Sequence, residues 1–137
     1  HAHGGFVNKF EGDAALAIFG APEELPDAAG RALAAARVMA VRLTSEVPEV
    51  VAGVGVSAGP AVAGNVGAAD RFEYTVIGDP VNEAARLSEE AKKLDGHVVA
   101  AVRAVEAASP EEAAQWKRLH EVHLRGRPEP TVLAVPR

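Results

Sequence analysis

Three stretches of the chain hold the side chains best suited to chemistry. In the first, Asn8-Lys9-Phe10-Glu11-Gly12-Asp13, Lys9 and Asp13 stand four residues apart across a turn. A carboxylate at a tight hairpin tip is well placed to hold a hard divalent cation, which prefers oxygen ligands and shares its coordination with phosphates. Taken alone, Glu-Gly-Asp is simply a good turn, and an exposed strand lysine is usually a solubility residue. In the second stretch, Asn82 and Arg86 follow Asp79-Pro80 and lie four residues apart, so on a helix they project from one side. The plain alternative is a solvated face on which Arg86 pairs with Glu90, an interaction worth a few tenths of a kcal/mol. The third stretch is Leu124-Arg125-Gly126-Arg127, whose guanidiniums carry charge at every ordinary pH.

Weaker constellations are quickly weighed. The glycines of GVGVSAG (53–59) lack GxGxxG spacing and lead into a hairpin turn, which argues against a dinucleotide fingerprint. His120 and His123 would point to opposite faces of a strand and make a poor metal pair. Trp116 reads as a core or edge-packing residue, and Glu89, Glu90, Lys92 and Lys93 read as a solvated helix end.

The elements that must position these residues follow from pattern. Residues 6–19 alternate into and out of Glu11-Gly12-Asp13, which predicts a β-hairpin with those three residues at its tip. Asp27 can cap a helix running to about Leu43, with Leu33, Ala36, Ala40 and Leu43 on one face and Arg31 and Arg42 opposite. Two apolar runs between residues 50 and 66 flank Gly59-Pro60 and predict a second hairpin of buried strands, whose glycines allow close backbone approach. A short strand is expected at Thr75 to Ile77. Asp79-Pro80 then reads as a helix start, the carboxylate capping free N–H groups, and the helix runs to about Leu94 with Gly96 ending it. Its apolar side is expected to hold Val81, Ala84, Ala85, Leu87 and Ala91. His97 to Val102 reads as a buried strand, Ser109-Pro110-Glu111-Glu112 as a capping box, and the tail from Glu121 to Val135 as two strands around Gly126. Strands alternating with helices, with hairpins between, predict an α+β sandwich in which helices cover one face of a mixed sheet.

Bulk properties narrow the function. A chain of 137 residues suits one domain, able to bury roughly two-thirds of its unfolded surface. With no cysteine there is no disulfide, thiolate site or thiol nucleophile, and a reducing, cytoplasmic setting is the natural expectation. A net charge of −5 argues against nucleic-acid binding through a general basic surface, so any polyanionic ligand must be met locally. No apolar run approaches the roughly 20 residues of a membrane span, so no membrane contact is expected from this segment. Attachment of a longer parent through upstream segments stays open.

Two segments, NKFEGDAALAIFGAP (8–22) and FEYTVIGDPVNEAARL (72–87), joined by GVGVSAGPAVAGNVG (53–67), resemble the metal-hairpin and substrate-helix signatures of class III adenylyl and guanylyl cyclase catalytic domains of the bacterial, actinobacterial-like kind. The resemblance spans essentially the whole chain and implies a ferredoxin-like sandwich. It implies that Asp13 is the second of two carboxylates holding a pair of Mg2+ or Mn2+ ions. It also implies that Lys9 and Thr75 contact the base. An ammonium donates and cannot accept, which suits N1 of adenine and not the N1–H of guanine, so Lys9 favours ATP over GTP. Many similar cyclases carry aspartate where Thr75 stands. Asn82 would orient the ribose region, and Arg86 would stabilise charge on the transferring phosphoryl group. Arg125 stands where the family has a lysine that contacts terminal phosphates, with Arg127 a competing candidate.

In the family, the first metal-binding aspartate lies in a strand with a pattern like F-x-D-x-x-G-[FS]-T, upstream of the position that His1 occupies. The expectation is therefore a C-terminal portion of the catalytic domain, residues 1–137, inactive by itself, within a parent that converts ATP to cyclic AMP and pyrophosphate at sites shared across a homodimer. The alternative is a catalytically silent cyclase-like module that binds nucleotide or dimerises.

Overall fold

The computed structural model describes residues 6–11, 14–19, 25–46, 52–60, 62–66 and 73–137. Along these run β1 (Phe6–Glu11), β2 (Ala14–Ile18), α1 (Ala28–Glu46), β3 (Val54–Val56), β4 (Val62–Val66), β5 (Glu73–Ile77), α2 (Asp79–Ala91), β6 (Val98–Ala101), α3 (Val102–Ala107), α4 (Pro110–Ala113), β7 (Trp116–Val122) and β8 (Thr131–Pro136). A mixed four-stranded sheet has the order β3-β6-β8-β7, with β3 and β6 parallel and the remaining pairs antiparallel. β1 and β2 form the expected hairpin, Glu11 facing Ala14 next to the turn.

The residues of β6 explain the layering. Val98, Val99, Ala100 and Ala101 are all buried, and a strand with no polar face needs cover on both sides. Val98 and Ala100 pack with Leu33, Ala36 and Ala40 of α1, Ala104 of α3 and Trp116. Val99 and Ala101 pack with Leu87 and Ala91 of α2, Leu124 and Leu133. The α+β class and mixed sheet are as expected, but helices flank both faces of this sheet rather than one.

The region around Gly59-Pro60 also departs from expectation. Instead of pairing with each other, β3 pairs with β6, and β4 pairs antiparallel with β5. Parallel strands need a crossover, and α2 supplies it by packing over both β3 and β6. Adjacent apolar runs carry no information about such distant partners. The close approach expected of the glycines is met by α2: a Cβ on Gly55 would lie 2.5 Å from the Ser88 amide nitrogen and 2.6 Å from the Ala84 carbonyl oxygen.

Helix ends show the same division between local and distant control. Asp27 caps α1 as predicted, its Oδ1 accepting from the Gly30 amide at 3.2 Å, and the same oxygen accepts from the Ser109 amide at 2.9 Å. Ser109 opens only the four-residue α4 and gives it no side-chain cap, and Glu112, the other half of the expected box, is drawn to Arg37 and Trp116. α2 ends at Ala91, before Gly96, in successive turns that lead to His97 at φ 56°.

Candidate active site

Gly78 leads into α2 with a φ of 148°, a conformation L side chains rarely adopt. Asp79 follows but makes no capping bond. Both of its carboxylate oxygens instead accept from Arg127, Oδ1 from Nε at 2.8 Å and Oδ2 from Nη2 at 2.7 Å. A doubly donating guanidinium outcompetes a single backbone amide for the same carboxylate. This hydrogen bond from Arg127 holds the Asp79 carboxyl below its ordinary range, and the Asp79 bond in turn raises the Arg127 guanidinium.

One turn on, the buried stripe of α2 consists of Glu83, Leu87 and Ala91, spaced by four. Ala85, expected on the apolar side, is exposed, and Glu83 occupies the buried position. That stripe leaves Asn82 exposed and Arg86 half-buried on the neighbouring side, the shared polar side the spacing predicted. Arg86 pairs with Glu89 at 3.5 Å rather than with Glu90, which pairs with Lys93 at 3.3 Å. Both are surface pairs.

Arg86 and Arg125 line one hollow of about 620 Å3, together with Glu89, Glu90, Lys92, Lys93 and Leu124. Four cationic side chains face two carboxylates there, a local positive excess in a chain of net charge −5. The Glu89, Glu90, Lys92 and Lys93 run is a solvated helix end as expected, and the same residues form one wall of the hollow. Arg127 does not share it. Its side chain is only 8% exposed and its donors are taken by Asp79, Glu83 and Thr131.

The Glu83 cluster was not foreseen. This carboxylate, 2% exposed, accepts from Ser57 Oγ, from Arg103 Nη2 at 3.1 Å and from Thr131 Oγ1 at 2.7 Å, and it pairs with Arg127 Nη1 at 2.8 Å. Arg103 also lies 3.7 Å from Asp79. The signal was a lone acid at the first position of the stripe Glu83, Leu87, Ala91, where a buried charge demands partners.

The remaining candidates are placed only by backbone, or not at all. Lys9 lies in β1 opposite Leu16, and Thr75 in β5 opposite Gly64. Asp13 falls outside the described residues, although the facing pair Glu11 and Ala14 brackets it in sequence. Among the described residues no group of three or more His, Cys, Asp or Glu is arranged to hold a metal. The donor chemistry that Asp13 offers, hard carboxylate oxygen, fits Mg2+ or Mn2+.

Residues 7–135 match the family described as adenylate and guanylate cyclase catalytic domain, and the chain belongs to that family. Uncharacterized protein Rv1318c of Mycobacterium tuberculosis (strain ATCC 25618 / H37Rv) is 60% identical over 134 residues, which are 98% of this chain and 25% of that protein. The chain thus spans about a quarter of the length of the curated relatives it matches. The crystal structure of the guanylyl cyclase Cya2 superimposes with a TM-score of 0.76 at 26% identity, over 97% of this chain and 70% of that one. That of the adenylyl cyclase CyaB from P. aeruginosa does so with a TM-score of 0.69 at 22% identity, over 97% of this chain and 71% of that one, a likeness of fold. The neighbours therefore include cyclases of both nucleotides, and among the described residues no helix is long and apolar enough to cross a membrane.

Proposed function

We propose that this chain is the C-terminal portion of an adenylyl cyclase catalytic domain whose parent protein converts ATP to 3′,5′-cyclic AMP and pyrophosphate. The observation that carries this reading is the cationic hollow in which Arg86, on the predicted substrate helix, and Arg125, in the turn before β8, face a common space. A triphosphate is the ligand such a surface suits, because guanidiniums and ammoniums at one concave site meet several phosphate oxygens at once. The choice of ATP over GTP rests on Lys9.

In the reaction proposed, the ribose 3′-hydroxyl gives up its proton to solvent and its oxygen attacks the α-phosphorus. The bond from that phosphorus to the bridging oxygen of the β-phosphate breaks, and pyrophosphate leaves. Asn82 orients the ribose. Arg86 donates to the equatorial oxygens as charge grows there, and Arg125 holds the terminal phosphates. Lys9 and Thr75 read the base. Mg2+ or Mn2+, held by Asp13 with a second carboxylate, supplies neutralisation of the phosphates and lowers the pKa of the attacking hydroxyl when bound. The protein's own contribution is positioning and preorganised charge. Asp13 serves one subunit's half of each site, and Lys9, Thr75, Asn82 and Arg86 of the other subunit serve the second half, which makes the working unit a homodimer.

The division of labour is tested by complementation in the full-length protein. Asp13→Ala and Arg86→Ala homodimers are each expected to be nearly inactive. After subunit exchange, each mixed dimer has one site with both substitutions and one with neither, so cyclic AMP production should return to a fraction of wild type. Loss of a charge-assisted transition-state contact typically costs roughly a hundredfold in rate, so the recovered signal should stand clear of background. Demonstrated exchange without recovered activity would sink the shared-site mechanism and favour the silent module.

A further inference from the structure

We propose that the Glu83–Arg127 pair is a positioning device that sets the separation of Arg86 and Arg125 across the hollow, and so the affinity for the nucleotide's phosphates. The inference rests on the nucleotide-site reading above.

Neither member of the pair is free to bind substrate. Arg127 is 8% exposed and is engaged by Asp79, Glu83 and Thr131. Glu83 accepts hydrogen bonds from Ser57, Arg103 and Thr131 and is ion-paired with Arg127 at 2.8 Å, which leaves this buried carboxylate fully engaged. What the pair does is join α2 to the turn before β8. On α2, Glu83 and Leu87 are buried and Arg86 lies between them in sequence. In the turn, Leu124 is buried in one apolar cluster with Leu87, Arg127 is tied to Glu83, and exposed Arg125 lies between those two anchors in sequence. Gly126 at φ 85° and the bond from the Arg127 amide to the Leu124 carbonyl oxygen, 3.1 Å, close the turn. Arg86 and Arg125 are thus each flanked by two buried anchors, and the anchors are linked in pairs: Leu87 and Leu124 in one apolar cluster, Glu83 with Arg127. The apolar pair can slide, because packing is non-directional. The fork of Arg127 cannot, because its donor directions are fixed: two donors meet Asp79 and a third meets Thr131, whose hydroxyl donates in turn to Glu83 at 2.7 Å.

Steady-state kinetics in the full-length protein, with ATP and Mn2+, test this. Arg127→Lys keeps the charge but lacks a fork able to engage Asp79 twice and Glu83 as well. It should raise the KM for ATP roughly tenfold, in line with the sensitivity of such sites to small displacements, in a protein whose circular dichroism and cooperative melting are retained. In an Arg125→Ala background the same change should add less than about twofold, because the group being positioned is gone. Glu83→Gln, which keeps shape and an acceptor for Ser57 and Thr131, should behave alike and decides the matter if Arg127→Lys fails to fold. An unchanged KM in a folded Arg127→Lys protein, or a full tenfold effect in the Arg125→Ala background, would overturn the inference alone. If Arg125→Ala by itself leaves KM unchanged, the phosphate role of Arg125 is wrong and the positioning role falls with it.

Discussion

Two arginine-carboxylate clusters join segments far apart in the sequence, one on each face of the four-stranded sheet. On the α1 face, Arg37 donates to Glu112 from Nε at 2.7 Å and from Nη2 at 2.6 Å, and Trp116 Nε1 donates to the same carboxylate at 2.8 Å. On the α2 face, Arg127 grips Asp79 and Glu83 while Arg103 supports both. The chemistry is the same in kind. The first cluster pins α1 to the start of β7 over the core around Trp116, whereas the second adjoins the cationic hollow and carries Arg86 and Arg125 on the segments it joins. An ion pair of good geometry is therefore no sign of function by itself; its meaning lies in what the joined segments present.

The sharpest contrast should come from the hollow itself. Arg86→Ala should lower turnover at least roughly a hundredfold in the full-length protein. Its melting temperature should barely move, since the pair lost among the described residues, to Glu89 at 3.5 Å, is at the surface. A large drop in melting temperature instead would make Arg86 structural and erase the difference between the two faces.

Gly55→Ala should destabilise the fold by about 1–3 kcal/mol, as overpacking does, because the new methyl meets the backbone of α2 at Ser88 and Ala84, which cannot rotate aside. Chemical denaturation measures the loss, and activity should fall with it because the displaced helix carries Asn82 and Arg86. Arg37→Ala should cost a comparable or smaller amount, about 1–3 kcal/mol, since Glu112 keeps Trp116 but loses its charged partner at a half-buried site. Its kcat and KM should match wild type once the protein is folded. A changed KM would mean that the α1 face also reaches the site.

Acid should weaken both clusters together. Burial pushes the Glu112 carboxyl up, but the bonds from Arg37 and Trp116 prevail and hold it below its ordinary 4.5, and Arg127 holds Asp79 below its ordinary 3.8. A carboxylate depressed in the folded state contributes stability that is fully present above its unfolded pKa and lost as pH falls through the folded one. Stability measured by urea titration should therefore not decline on account of these groups until the pH is below those ordinary values. A loss beginning near neutrality would contradict the assignment. The smallest effect is expected from Glu89→Ala, under about 0.5 kcal/mol, because its pair with Arg86 is exposed and screened.

How much of this was legible depends on the range of the interaction. Asp27 as a cap and Asn82 beside Arg86 on one side of α2 rest on contacts within about four residues, and the pairing of β1 with β2 joins strands adjacent in the chain, so local pattern encodes all three directly. Expectations failed where a local signal met a distant competitor. Asp79 reads as a cap until Arg127, 48 residues on, takes both of its oxygens; Glu112 reads as part of a capping box until Arg37, 75 residues away, claims it. Between Arg125 and Arg127 the sequence left the choice open, and burial separated them: Arg125 lines the hollow, whereas Arg127 is buried against Asp79 and Glu83.

Family membership was readable from the chain alone, because the order and spacing of the Lys9–Asp13 segment, the glycine-rich run and the Asn82–Arg86 helix are each written in neighbouring residues. The sequence also determined that a polyanion could be met only at a local site, since the chain as a whole is acidic. Only the tertiary structure decided that β3 pairs with β6 and not with β4, and that helices cover both faces of β6. It alone turned the charges at the end of α2, with Arg125, into a concave wall, and gave Glu83 its four partners. The physical reason is common to all of these: a buried charge or a strand edge is satisfied by whichever group the fold brings to it, and that group's distance along the chain leaves no mark on the residues around it.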